Sequence, residues 1–180
     1  MAALRQTLTW VKNSRGTPAL IRLIPEGAGE TYKKGALLLY DESEDGVVET
    51  GRAAGVPTTQ LVLGIALQDA SGVQGTDQDV LIPTADDIFV AALASDQDTV
   101  TAPGIDFIGD AVGLIKLSST GGAGTEYVVD SGNVNWGRVI GLYGPDQEKR
   151  GGILSTTFVA GDRVLFQFLS SVVTSDGSIA

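Results

Sequence analysis

Val80-Leu81-Ile82-Pro83-Thr84-Ala85-Asp86-Asp87-Ile88-Phe89-Val90-Ala91-Ala92-Leu93-Ala94-Ser95 is the stretch on which the fold class turns. As a helix it would start at Thr84, with Thr84 and Asp87 forming a capping box, and run to Ser95. As a strand it sets Ile88, Val90 and Ala92 on one face. The preceding Val80–Pro83 segment reads as extended, and a residue before proline is pushed out of the helical region. The strand is therefore the expectation, and with it the best helix candidate in the chain disappears.

Working outward, the same pattern of short apolar runs between turn residues recurs. Strands are expected at Ala36–Tyr40, Leu61–Leu67, Val80–Ile82, Ile88–Leu93, Ala111–Leu117, Tyr127–Val129, Val139–Tyr143, Ile153–Val159 and Val164–Leu169. Each has the length of an ordinary strand. Between them stand Glu44-Asp45-Gly46, Ser71-Gly72, Gly121-Gly122-Ala123-Gly124, Asp130-Ser131-Gly132-Asn133 and Gly144-Pro145-Asp146, which are turn sequences. Such spacing predicts an all-β fold, an antiparallel β-barrel or sandwich (jelly-roll-like), with little helix. The 180 residues suffice for one domain with a sizeable core.

Two segments echo each other. Leu61 to Asp69, followed by Asp79 to Pro83, reads apolar-apolar-Gly-apolar, a turn ending in Asp, then an apolar strand with a polar leader. Arg138 to Asp146, followed by Asp162 to Phe166, reads the same way. A duplicated strand–turn–strand unit gives this pattern; so does any glycine-rich β chain.

Charge divides by position. Residues 1–34 hold six bases and two acids, residues 35–115 hold one base (Arg52) and fourteen acids, and the rest is nearly neutral. Thr7, Thr9 and Val11 alternate with Leu8 and Trp10 before Asn13-Ser14-Arg15-Gly16 breaks the run, and Ala19–Ile24 is apolar around Arg22. These residues read either as the first strands of the body or as an extended N-terminal arm that adds a strand to a neighbour's sheet edge. The charge split favours the arm, over residues 1–30, with residues 31–173 as the β body and 174–180 as a flexible tail.

Several functions are disfavoured. With no His and no Cys, the commonest proton shuttle, thiol nucleophile and soft metal ligands are missing. A net charge of −10 repels phosphate, so no nucleic-acid partner is expected. No apolar run approaches the ~20 residues that cross a bilayer, so no membrane partner is expected. Nor does the N-terminus show the apolar core of a secretory signal.

Each motif has a plainer reading beside it. Asp41-Glu42-Ser43-Glu44-Asp45-Gly46 opens like a calcium loop, but the twelfth position holds Arg52 instead of a bidentate Glu, and a solvated hairpin tip explains the run. Val128-Val129-Asp130-Ser131-Gly132 resembles an aspartic peptidase motif without its second lobe, and Asp-Ser-Gly is also an ordinary turn. Asp86 and Asp87 on a strand face opposite ways and make no acid–base pair. Gly121–Gly124 lacks the Lys and Ser/Thr of a phosphate loop. Trp10 and Trp136 suit core or interface burial as well as stacking on a ligand. No catalytic residue, cofactor-binding residue or metal ligand is assigned, and the chain is not expected to be an enzyme.

Val62-Leu63-Gly64-Ile65-Ala66-Leu67 with Asp69, Val80–Thr84 leading to Asp87-Ile88-Phe89-Val90-Ala91, Ile108-Gly109-Asp110-Ala111-Val112 and Gly161-Asp162-Arg163-Val164-Leu165-Phe166 resemble the capsid decoration (cement) proteins of tailed bacteriophages. The likeness is one of cadence, runs over residues 35–170, and belongs to a chain longer than the lambda-type members. It implies a β-barrel or sandwich module that forms a homotrimer, binds the major capsid protein on the outer surface of the virion and stabilises contacts between its subunits, after synthesis in the host cytoplasm. An adsorption or carbohydrate-binding β module of a tail or fibre is the alternative. A hydrolase using carboxylates alone ranks third.

Overall fold

A computed structural model describes residues 8–49, 62–96, 99–101, 105–116, 127–130, 136–143 and 163–173. Within them lie the strands β1 (Thr9–Asn13), β2 (Leu20–Pro25), β3 (Leu37–Asp41), β4 (Gly46–Glu49), β5 (Gly64–Ala66), β6 (Asp77–Ile82), β7 (Asp87–Asp96), β8 (Thr99–Thr101), β9 (Ala111–Lys116), β10 (Tyr127–Asp130), β11 (Gly137–Tyr143) and β12 (Arg163–Phe168). The helical content among the described residues is one 3-10 turn, Ile105–Phe107. The deciding stretch is thus β6, a turn and β7. Thr84 and Asp87 do bond, as a capping box would, but across a turn that opens a strand: Thr84 N and Oγ1 both donate to Asp87 Oδ2 at 2.8 Å. The expected alternation along β7 is absent, because Ile88 through Leu93 are all buried; the strand is covered on both faces.

The strands form two sheets. One runs β2-β6-β5-β3-β4. The other runs β1-β7-β10-β9-β11-β12, with β8 added to β7 and a further pairing of β7 with β12. They pack together over one continuous core that joins Leu37, Val80 and Ile82 of the first to Phe89, Leu114 and Phe166 of the second. Of the two architectures left open by the sequence, the structure is the sandwich. Both sheets curl strongly, yet no closed barrel forms among the described residues. The first sheet brings β2 back to β4 through one parallel bridge, Glu26 to Val47. The second brings β7 back to β10 through two parallel pairs, Leu93 with Val129 and Ala94 with Asp130.

The two sheets repeat one plan. Reading β2, β3, β4, β5 and β6 as β7, β9, β10, β11 and β12 turns the order β2-β6-β5-β3-β4 into β7-β12-β11-β9-β10, which is the second sheet's own pairing. Register agrees as well. Leu81 pairs with Ile21 on one side and Ile65 on the other, and Val164 pairs with Ala91 and Leu142. Gly64 precedes Ile65 as Gly141 precedes Leu142. At Gly64 a Cβ would stand 2.1 Å from Val80 Cγ1, so the glycine lets β5 and β6 close up. The sequence echo thus falls at matching places in two five-stranded units of the same strand order.

The expected N-terminal arm is corrected where it is described. β1 pairs antiparallel with β7, and β2 with β6, inside the same chain. Each has one side hydrogen-bonded to a strand of its own chain, so neither runs as a separate arm and no break in pairing falls at residue 30. The charge split misled because it reports net charge, not which backbone finds a partner. β4 and β8 were not anticipated: β4 follows directly on the Asp45-Gly46 turn and is four residues long, and β8 is three. The strand expected at Ile153–Val159 and the tail 174–180 lie outside the described residues.

Candidate interaction surface

The chain passes between the sheets at two places that touch, Ser14–Ala19 and Pro83–Asp86. Ser14 N donates to Asp86 O at 2.8 Å. Asp87, 2 % exposed, ties the corner by accepting from Trp10 Nε1 (2.9 Å), Asn13 Nδ2 (3.0 Å) and Thr84. Asp86 points away and pairs with Arg15 at 2.9 Å. Asp86 sits in the turn and Asp87 opens β7, not both on a strand as expected; the two carboxylates diverge and form no acid–base pair.

A second buried carboxylate has the same kind of role. Glu26 is fully buried and accepts from Ser71 N (2.7 Å), Gly72 N (2.7 Å) and Gln78 Nε2 (2.6 Å). It fastens the loop between β5 and β6 to the end of β2. Gly46 allows β4 to pass close by, since a Cβ there would lie 2.5 Å from Glu26 C and Gly27 N. Beside this knot Tyr32 is buried with its hydroxyl unpartnered. Burial, then the charges of Glu26 and Glu30, push its phenol well above the ordinary value. Nothing in the sequence marked Glu26, which stands in a Pro-Glu-Gly turn where an exposed acid is the ordinary case.

The acidic run is a hairpin tip. Asp41 Oδ1 accepts from Ser43 N and Oγ at 2.8 and 2.6 Å, and Glu44 Oε2 accepts from Ala28 N at 3.0 Å. Tyr40 Oη donates to Asp45 at 3.1 Å, a bond that raises the phenol's pKa. Asp45 takes φ +51° before Gly46, the left-handed turn conformation that Asp tolerates. Arg52, the calcium loop's mismatched position, lies outside the described residues. Among the described residues no group of three or more His, Cys, Asp or Glu could hold a metal ion, and no helix is long and apolar enough to cross a membrane. Asp130 ends β10, while Ser131–Asn133 and Gly121–Gly124 lie outside the described residues. Trp136 is 8 % exposed and packs in the core; it offers no open ring face. Trp10 is half-buried over the corner.

What remains exposed and unusual is β2. It stands at the end of its sheet, with Leu20 39 %, Ile21 52 % and Leu23 66 % exposed. Val11, Val73 and Ile108 are the other large aliphatics exposed among the described residues, and none of them has a second beside it in its strand or loop. Single exposed aliphatics are ordinary; three within four residues of an edge strand make a candidate contact surface. The class of protein defined by this fold is an all-β sandwich with an exposed apolar strand. Comparison with family models, with curated proteins and with solved structures finds no match for the chain.

Proposed function

We propose that this chain is a structural virion protein that binds the outer surface of a bacteriophage capsid and stabilises contacts between major capsid subunits. The observation that carries the reading is how the buried acids are used. Asp87 and Glu26, which in an enzyme would be candidates for chemistry, spend their oxygens on neutral donors that hold corners and loops in place. Their partners give rigidity, and the exposed apolar strand gives something to hold with. Such a module needs no cofactor and acts as no enzyme. Its acidic outer surface keeps it off nucleic acid. Contacts of ~800 Å² per partner become strong when several copies engage one lattice together.

The test is co-sedimentation of the purified chain with undecorated phage heads and with free coat subunits. Binding to assembled heads and not to free subunits is expected. Failure to travel with heads, or hydrolytic activity lost on Asp130→Asn, would overturn the reading.

A further inference from the structure

We draw no further inference here: the strongest candidate, the exposed apolar surface patch that Leu20, Ile21 and Leu23 form on β2, carries nothing, because nothing in the structure shows what covers it.

Discussion

The five-stranded unit β2–β6 and the unit β7–β12 share strand order and register but are finished differently. The second is filled with aromatic rings: Phe168 meets Phe89 and Phe166 edge to face at 5.4 and 5.0 Å. Its first strand is covered by β1. The first unit has a polar knot of Glu26, Gln78 and Tyr32 under its loops, and its first strand exposes Leu20, Ile21 and Leu23. One pairing plan accommodates two fillings of the shared core, because side chains of the right volume and pattern can fill the space in more than one way.

The largest effect should come from the aromatic unit. Phe166→Ala removes a fully buried ring against Gly137 and Phe168 and should lower unfolding free energy by about 3–5 kcal/mol in urea titration. A smaller loss would mean that the two units do not share one core.

Glu26→Ala strikes the polar knot. It leaves Ser71 N, Gly72 N and Gln78 Nε2 without their acceptor, and about 3 kcal/mol of destabilisation is expected, with faster amide exchange at Ser71 and Gly72. Unchanged exchange there would show that the loop is held by something else.

Asp87→Ala tests why one edge is covered. Trp10 and Asn13 lose their shared acceptor, so stability should drop by about 2 kcal/mol. Exchange should quicken selectively in β1, with a shift in Trp10 fluorescence. Equal loosening of β2 would dissolve the distinction between the two edges.

The smallest change is expected for Tyr32→Phe, which deletes the unpartnered hydroxyl and should alter stability at neutral pH by about 1 kcal/mol or less, in the stabilising direction. Its signature lies in pH. The folded phenol titrates above the ordinary 10.0, so the unfolded chain loses this proton first. Stability from Tyr32 is full below about pH 10 and declines as pH rises from there through the folded value. The variant should show a shallower alkaline decline; an identical profile would show that the hydroxyl ionises as freely folded as unfolded.

Much of the fold was legible from local chemistry. Pro83 and the extended residues before it placed a strand where a capping box suggested a helix, and Asp45-Gly46 marked a hairpin. The matching Gly64 and Gly141 hinted at a repeat, and the strand order and register agree with it. The candidate surface was half legible: Ala19–Ile24 was evidently apolar with Arg22 inside it, but its exposure was not. A run of that composition is equally at home in a core strand, and only the neighbours tell them apart.

Turn residues and apolar runs act over a few neighbours, so the sequence alone determined that this is a β protein, roughly where its strands lie, and that it lacks His and Cys chemistry. Which strands meet was decided in three dimensions. Glu26 became a buried anchor because Ser71 and Gly72, about 45 residues away, brought their amides to it. β1 joined β7 because Asp87 gathered Trp10 and Asn13 from more than 70 residues distant. Such contacts depend on the closure of long loops and the packing of the whole core, and a local stretch of sequence contains neither.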